Sequence, residues 1–476
     1  MPIASDRRHS DKGREMADIF FSWDEVMSAV AGKWLLPGTG AGVSCVLDDS
    51  RSVRAGALFV AIVGELADGH NYIAAAARAG AAAVCVQRQP SEEDLAVLRD
   101  CGCGCILVAD GLIAFQELAL AHRRRFPGLF MLGVTGSCGK TSTKEICAAV
   151  LEQRWPGQVL KTLGNTNNHF GVPRNLLRLT STTAAAVIEM GTNHPGEIAR
   201  LTTLAEPNCG LVCHIGAAHL EAFGDLCGVA EEKGDLLAGL TANGTAIVPA
   251  DAEGLEVLRR HAGQRRVLTF GPEADADLRC QYLGRCGDGY GVVLTRRDTG
   301  ESQRVVWPLG GEHQAKNAAA AVLVGLTVGL DLKTAAAGLR QSELPGERMA
   351  RRDIGGVHWV NDAYNANPDS LAASLAWFAE ISREAQKRIL VLGDMLELGA
   401  SSERAHREAL RLARRMFPND RIITVGPRFA QAAAGMDITS YPDVAAASGL
   451  PADLKPGTWV YLKGSNSIGL AKLMPA

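Results

Sequence analysis

FMLGVTGSCGKTSTKE, residues 130–145, is the stretch that decides the fold. Its apolar first half runs into Gly136-Ser137-Cys138-Gly139-Lys140-Thr141, and a helical pattern follows at once. Glycines let a backbone turn tightly and aim its N–H groups at phosphate oxygens, and the start of a helix adds positive potential. The stretch therefore predicts strand, phosphate loop and helix, with Lys140 reaching the β- and γ-phosphates and the Thr141 hydroxyl binding Mg²⁺.

The loop is the short form G-x-x-G-K-T, because Val134 stands where the common P-loop has its first glycine. The alternative, a plain glycine turn with an incidental Lys140, fits the strand–loop–helix context poorly. A phosphate loop indicates a nucleoside triphosphate and leaves the reaction open. The residues predicted to bind the phosphates are Thr135, Gly136, Ser137, Cys138, Gly139, Lys140, Thr141 and Ser142.

Outward from the loop, short apolar runs alternate with amphipathic segments. FMLGVT, AAAVIEM, CGLVCHI and TAIVP are typical of buried parallel strands, and TSTKEICAAVLEQ and PGEIARLTTL of helices. The alternation restarts at HWVNDA and continues through RILVLGDM, RIITVG and TWVYLKG. The sequence predicts an α/β protein with a small N-terminal α/β domain (19–127), a central doubly wound domain (128–342) and a C-terminal Rossmann-like domain (343–476).

Composition and net charge argue against several other classes of protein. The chain has 476 residues, 12 cysteines and a net charge of −3. That charge gives no electrostatic case for nucleic acid or an anionic membrane, and no apolar run is long enough for a membrane span. The polar start, residues 1–18, lacks the apolar stretch of a signal peptide, so we expect a disordered tail on a cytoplasmic, thiol-rich protein.

Polar residues at predicted strand ends are the candidates for chemistry. Glu189 closes AAAVIEM, where open α/β sheets bind ligands, and its carboxylate suits Mg²⁺. His219 follows the next strand, and a lone histidine is more often structural. Asn165 and Asn168 lie in a loop whose amides can contact phosphate. By residue chemistry alone, Lys233 is a surface lysine paired with a neighbouring glutamate, Glu231 or Glu232.

Five further stretches carry a family resemblance. They are DSR (49–51), GEHQAKNAAAAV (311–322), WVNDAYNANPDS (359–370), VLGDMLELGASSERAH (391–406) and VYLKGSNSIGLAKLM (460–474). From about Asp49 to its C-terminus the chain resembles the Mur ligases and their folylpolyglutamate synthetase relatives. Gln314 and Asn466 depart from the family's usual Asn and Arg, and Lys463 is one candidate to replace the contact of that Arg.

The resemblance implies roles that the residue types alone do not. It implies that Glu189 and His219 support Mg²⁺, that Lys233 is carbamylated and also supports Mg²⁺, and that Asn165 or Asn168 lies near the γ-phosphate. It implies nucleotide contacts for His313, Asn317, Arg348 and Asp362, with Arg348 at the γ-phosphate and Asp362 at the ribose. It implies substrate contacts for Asp49, Ser50, Arg51, Tyr364, Asn365, Asn367, Asp394 and Lys463.

The resemblance also implies an activity. It is ATP- and Mg²⁺-dependent joining of D-alanyl-D-alanine to UDP-N-acetylmuramoyl-tripeptide through an acyl phosphate, in cell-wall precursor synthesis, by a protein that we expect to be a monomer. The alternatives are a ligase of the same family that adds diaminopimelate, lysine or glutamate, and a non-catalytic nucleotide-binding module. The VLGDMLELG loop argues against the first, and the uridine-type Asp49-Ser50-Arg51 loop against the second.

Overall fold

The structure is a computed structural model that describes residues 21–65, 67–217 and 219–475. The predicted disordered tail, residues 1–18, lies outside these ranges. The chain forms two compact units: residues up to 128 together with 169–183, and residues 129–168 together with the chain from 184 onward. No helix in the described ranges is both long and apolar enough to cross a membrane.

The first unit is built around a small mixed sheet. Its elements up to residue 123 are β1 (Phe21–Ser22), α1 (Trp23–Val30), β2 (Lys33–Leu36), β3 (Gly42–Val43), β4 (Cys45–Leu47), β5 (Ala57–Val60), α2 (Ile73–Arg78), β6 (Ala83–Val86), α3 (Glu92–Asp100), β7 (Gly104–Leu107) and α4 (Gly111–Arg123). The strand order is β2-β7-β6-β5-β4, with only β2 antiparallel. Helix α1 begins at a capping box in which Ser22 and Glu25 satisfy each other's backbone N–H groups.

The next stretch of chain forms the largest sheet and its helices. The elements are β8 (Phe130–Thr135), α5 (Lys140–Leu151), β9 (Val159–Lys161), α6 (Gly171–Leu176), β10 (Ala185–Glu189), α7 (Glu197–Ala205), β11 (Cys209–Val212), α8 (Leu220–Phe223), α9 (Leu226–Ala238), β12 (Thr245–Pro249), α10 (Leu255–Ala262), β13 (Arg266–Gly271), β14 (Leu278–Cys286), β15 (Gly289–Arg296), β16 (Ser302–Trp307), α11 (Glu312–Thr327) and α12 (Leu332–Gly338). Helix α6 belongs to the first unit, and the rest to the second.

The order of this sheet places the phosphate loop at a switch point. It runs β16-β15-β14-β13-β12-β11-β8-β10-β9, and the strands from β9 to β13 are parallel to their neighbours. Strand β8 therefore lies between β10 and β11, and the chain leaves it first to one side and then to the other. Open α/β sheets bind ligands at such a point, beyond the carboxyl ends of the strands.

Sequence analysis did not predict the antiparallel extension formed by β14, β15 and β16. Strand β14 alternates buried and exposed residues along much of its length, from Leu278 to Arg285. A two-residue period is the signal of a half-buried strand, so the signal was present in the sequence.

The C-terminal region of the second unit has its own sheet. Its elements are β17 (Ala350–Ile354), β18 (Val357–Asn361), α13 (Pro368–Ile381), β19 (Lys387–Gly393), α14 (Ser402–Met416), β20 (Arg421–Val425), α15 (Pro427–Ala432), β21 (Thr439–Tyr441) and β22 (Thr458–Lys463). The order is β17-β18-β22-β19-β20-β21, and only β17 is antiparallel. All four strands predicted here from the sequence are present. The predicted α/β class is confirmed.

Candidate functional site

The phosphate loop is stabilised by a hydrogen bond within the loop and by contacts with the segment that follows β11. The Lys140 Nζ donates to the carbonyl of Gly136 at 2.7 Å. Gly136 and Gly139 have φ angles of 147° and 81°, and a Cβ on Gly136 would lie 3.0 Å from the backbone nitrogen of His214. Ser137 Oγ donates to the carbonyl of Gly216 at 2.9 Å. The loop therefore needs its glycines both for conformation and for the close approach of the strand β11 segment.

The other predicted loop residues have local roles. Thr135 is buried, and its Oγ1 donates to the carbonyl of Met190 at 2.9 Å. Ser142 is buried in the first turn of α5, and Cys138 is half-buried.

Glu189 lies at the carboxyl end of β10 and is 1% exposed. Its Oε1 accepts from Thr141 Oγ1 at 3.1 Å and from Asn167 Nδ2 at 2.8 Å. Its Oε2 is buried and has no hydrogen-bond partner among the described residues. A buried carboxylate oxygen without a partner is costly, and a cation beside it would remove that cost.

The asparagine that contacts Glu189 is one that the sequence did not single out. Asn165 and Asn168 are both exposed, whereas the amide of Asn167 bonds to the Glu189 carboxylate. Lys144, one turn into α5 after Lys140, was also missed. It is 0% exposed, and its Nζ lies 3.9 Å from Glu189 Oε2.

His219 meets the C-terminal region of the same unit. Its Nδ1 lies 3.0 Å from Glu397 Oε2 in the loop after β19. The hydrogen bond from His219 holds the pKa of the Glu397 carboxyl below its usual value. The segment of His219 also supports the phosphate loop, because Gly216 bonds to Ser137. His219 thus links the loop region of the central sheet to the loop after β19, which also contains Asp394.

Lys233 is not a surface residue, so the ordinary surface-lysine interpretation is wrong. It is 1% exposed on α9, and its Nζ lies 5.6 Å from the centre of the Phe223 ring. Glu231 pairs with Arg260 and His261, and Glu232 accepts from Gly196 N and Ile198 N. Burial, with a contribution from Lys140, lowers the pKa of Lys233 to about 7.

Arg348 reaches the phosphate loop from the C-terminal region. Its Nη2 donates to Thr141 Oγ1 at 3.1 Å, and its guanidinium lies 3.6 Å from the centre of the Tyr364 ring. Thr141 Oγ1 is therefore shared between Glu189 and Arg348. Stacking on an aromatic face fixes a guanidinium in orientation, which suits recognition of a phosphate.

Asp362 and Lys463 bond to each other. The Lys463 Nζ donates to Asp362 Oδ2 at 2.7 Å and to the carbonyl of Asn365 at 2.9 Å, and its side chain is 4% exposed. Asp362 Oδ1 accepts from the backbone N–H of Met349 at 3.0 Å. In this conformation Lys463 holds the 362–365 loop rather than pointing to a substrate.

His313 and Asn317 lie on the first turns of α11. The His313 ring nitrogen Nε2 lies 3.4 Å from the Met349 sulfur, and burial lowers the pKa of His313 to about 4. Asn317 Nδ2 donates to Gln314 Oε1 at 3.1 Å, and a Cβ on Gly139 would lie 3.3 Å from Asn317 Oδ1. Asn317 therefore borders the phosphate loop, and His313 lies beside Met349.

A cavity of about 280 Å³ opens beside Arg348 and Met349. Its other lining residues include Tyr290, Gly310, Arg351 and Trp377.

Three residues predicted to bind substrate have structural partners. Asn367 caps α13 by accepting from Ser370 N at 2.8 Å. Asp394 is buried and caps α15 by accepting from Arg428 N at 3.0 Å and Phe429 N at 2.8 Å. Asn365 is exposed, and its Oδ1 accepts from the next backbone N–H.

In the first unit, Asp49, Ser50 and Arg51 form a short turn. Asp49 Oδ1 accepts from the backbone N–H of Arg51 at 3.0 Å, and the two side chains pair at 2.7 Å. The hydrogen bond from Arg51 lowers the pKa of Asp49. Arg51 is 87% exposed, so its guanidinium is accessible to a ligand.

Comparison with known proteins finds the same family along the chain. Residues 43–120 match the model described as the Mur ligase family catalytic domain, residues 134–325 the Mur ligase middle domain, and residues 347–466 the Mur ligase glutamate ligase domain. A UDP-N-acetylmuramoyl-tripeptide–D-alanyl-D-alanine ligase of Escherichia coli is 38% identical over 393 residues, covering 82% of this chain and 83% of that protein.

Two solved structures extend the similarity to the fold. A crystal structure of MurF from Acinetobacter baumannii superposes with a TM-score of 0.86 at 29% identity, covering 96% of this chain and 98% of that one. A MurF ligase from Thermotoga maritima, solved in complex with ADP, superposes with a TM-score of 0.78 at 27% identity, covering 90% of this chain and 96% of that one. Because three family models follow one another along the sequence and a relative matches most of both chains, this protein belongs to the Mur ligase family.

Proposed function

We propose that this enzyme joins D-alanyl-D-alanine to UDP-N-acetylmuramoyl-tripeptide, with hydrolysis of ATP to ADP and phosphate. The tripeptide carboxylate accepts the γ-phosphoryl group, which gives an acyl phosphate. The dipeptide amine then forms the new C–N bond while the C–O bond to phosphate breaks, and the amine loses a proton. The named relatives support these substrates, and the site supports the ATP-dependent step.

The convergence on Thr141 carries the proposal. Glu189 from the central sheet and Arg348 from the C-terminal region both bond to this one hydroxyl, at the end of a phosphate loop. Phosphoryl transfer requires little covalent chemistry from a protein and much charge stabilisation in a fixed geometry. A carboxylate, a cation and backbone N–H groups gathered at one loop supply that requirement.

Mg²⁺ fits this site. The orphaned Oε2 of Glu189 and the Thr141 hydroxyl are hard oxygen donors of the kind that Mg²⁺ prefers. Among the described residues no three His, Cys, Asp or Glu side chains form a metal-binding group. Mg²⁺ is usually bound by one or two carboxylates together with phosphate oxygens and water, so a single Glu189 suffices. Bound Mg²⁺ neutralises charge on the transferring phosphoryl group.

Burial of Lys233 supports its carbamylation. Carbamate formation needs a neutral amine, which attacks CO₂ and releases a proton. A pKa of about 7 makes a large fraction of the Lys233 amine neutral at physiological pH. The product is an anion in place of a cation, and it offers oxygen donors to Mg²⁺.

The nucleotide is expected to extend from the phosphate loop toward α11 and Met349. His313 is neutral at pH 7, because its pKa of about 4 lies well below that pH. Its ring and the Asn317 amide can therefore contact a base without an ionic component. Asp362 is held by Met349 N and Lys463, which fixes its carboxylate for a ribose hydroxyl.

The test is phosphate release from ATP by purified enzyme with Mg²⁺ and each substrate alone or together. We expect release only when both UDP-N-acetylmuramoyl-tripeptide and D-alanyl-D-alanine are present, with stoichiometric formation of the pentapeptide nucleotide by mass spectrometry. Release with free diaminopimelate, lysine or glutamate as the acceptor would assign the chain to another branch of the family. Nucleotide binding without turnover in any combination would contradict an enzymatic role.

A further inference from the structure

Lys144 is a fully buried ammonium group that the reaction above does not use. It is 0% exposed within α5. Its Nζ donates to the carbonyl of Thr162 at 2.9 Å and to the carbonyl of Gly164 at 3.0 Å. It also pairs with Glu145 Oε1 at 2.9 Å. Two of the three N–H groups of the ammonium thus have carbonyl acceptors, and a carboxylate lies at ion-pair distance from the same nitrogen. A buried charge is tolerated when it is paired and hydrogen-bonded in this way, so the arrangement is built around a lysine.

The two carbonyls belong to the segment that leads to Asn167. Thr162 follows β9, and its Oγ1 accepts from the backbone N–H of Glu189 at 2.9 Å. Five residues later, Asn167 bonds to the Glu189 carboxylate, and its own carbonyl accepts from Gly191 N at 2.8 Å. A Cβ on Gly191 would lie 2.7 Å from Asn167 Oδ1, so the amide is tightly enclosed. Lys144 therefore anchors the start of a segment whose end touches Glu189.

Lys144 pairs more closely with Glu145 than with Glu189. Glu145 is 9% exposed and bonds to Lys144 through one oxygen and to Lys161 at 2.5 Å through the other. Lys144 Nζ lies 3.9 Å from Glu189 Oε2, beyond hydrogen-bonding distance. Lys144 therefore does not satisfy Glu189 Oε2, which is left for another cation.

We propose that Lys144 is a positioning residue for phosphoryl transfer. By tying the 162–164 backbone to the helix that starts at the phosphate loop, it sets the place of Asn167 and, through Asn167, the orientation of the Glu189 carboxylate toward Mg²⁺. The inference rests on the proposed function. Groups that orient a metal-binding side chain typically change metal affinity or activity by about 10- to 100-fold when removed.

A double-mutant cycle tests whether Lys144 acts through Asn167. The variants are Lys144→Met, Asn167→Ala and the two combined, with Lys333→Met as the matched control because Lys333 is exposed on α12, which packs on the same helix α5. For each, turnover is measured against Mg²⁺ concentration, and Mn²⁺ binding in the presence of ADP is measured by electron paramagnetic resonance without turnover. Thermal unfolding reports the integrity of the fold.

We expect Lys144→Met and Asn167→Ala each to raise the half-saturating Mg²⁺ and the Mn²⁺ dissociation constant by about tenfold or more. The double variant should lie within about twofold of the weaker-binding single variant, because the two residues act in series. The KM for D-alanyl-D-alanine should stay unchanged, and Lys333→Met should behave as wild type. Lys144→Gln, which keeps two donors, should recover part of the loss. It also replaces Lys144→Met in the cycle if that variant does not fold.

Two results would overturn the inference. The first is that the effects of the two substitutions on Mg²⁺ and Mn²⁺ binding multiply fully in the double variant. The other is a loss of turnover in Lys144 variants that follows their lower thermal midpoint while Mn²⁺ binding is unchanged. A wild-type enzyme without dipeptide-dependent phosphate release would instead refute the proposed function, and the Mn²⁺ measurement would still decide the role of Lys144.

Discussion

Replacement of Lys233 by Met should remove activity and yet stabilise the folded protein. The lysine is 1% exposed, and burial together with Lys140 lowers its pKa to about 7. An ammonium group in such a place opposes folding, because the unfolded chain keeps it in water. Methionine has a similar length without the charge, so it should fill the space beside Phe223 without that penalty.

The magnitude follows from the pKa difference. Lysine in an unfolded chain has a pKa of about 10.4, and a difference of this size corresponds to about 4 kcal/mol against folding at pH 7. Whether stability rises or falls with pH depends on which state, folded or unfolded, holds the proton. Below pH 7 both states are protonated, and the penalty is full. Between pH 7 and about 10.4 only the unfolded state keeps its proton, so wild-type stability rises with pH. Above that range the penalty is gone.

Chemical denaturation of CO₂-depleted protein from pH 6 to pH 10 measures this. The free energy of unfolding of Lys233→Met should exceed that of wild type by about 4–5 kcal/mol near pH 6, with the gap closing toward pH 10. Lys333→Met, on an exposed helix position, should show no such gap. With Mg²⁺ and ADP already present, added bicarbonate should raise the thermal midpoint of wild type further and leave that of Lys233→Met unchanged. Wild-type turnover in Lys233→Met, or a stability difference independent of pH, would refute the reasoning.

Three further variants separate catalytic from structural roles. Lys140→Ala should lower acyl phosphate formation by about 10²–10³ or more at an unchanged thermal midpoint, measured by quench flow; near-normal turnover would remove the phosphate-loop assignment. Glu189→Gln should lose turnover and regain part of it at raised Mg²⁺, whereas lost stability without metal rescue would point to a structural role. Asp394→Ala should lower the free energy of unfolding by about 1–2 kcal/mol through loss of the α15 cap while the KM for D-alanyl-D-alanine stays constant; a raised KM at unchanged stability would return Asp394 to substrate binding.

The framework of the site could be predicted from the sequence, because it is carried by local patterns. Strand β8, the glycine loop and helix α5 are contiguous, so a single stretch carries the apolar run, the glycines and the start of the helix. Glu189 could be predicted as a site residue for the same reason, because it ends an apolar strand. These features depend on neighbours in the chain rather than on the path of distant segments.

Features that depend on how the chain folds in space could not be predicted from the sequence. Three asparagines lie within 165–168, and only the course of the loop decides that Asn167 meets Glu189. Lys233 follows two glutamates in sequence, which suggested a surface pair, yet the helix turns it inward. Asn367 is different, because an Asn followed by Pro368 is a recognisable start of a helix, and its capping role could have been predicted.

Backbone strain separates the site from the rest of the described chain. Besides glycines, the positive φ angles fall at Ala31, Glu206, His219, Met349 and Glu397. Ala31 and Glu206 are C-caps of α1 and α7, where a left-handed residue commonly ends a helix. The other three end no helix.

Those three residues border the phosphate loop and the C-terminal region that faces it. His219 pairs with Glu397, and Met349 N donates to Asp362. A left-handed non-glycine residue costs about 1–3 kcal/mol and persists only where its surroundings enforce it. At glycines such conformations can be expected from the sequence, as in the phosphate loop. At His219, Met349 and Glu397 they cannot, because these residue types rarely adopt them. The left-handed backbone at these three positions could therefore not be predicted from the sequence, although His219 itself was singled out as a site residue.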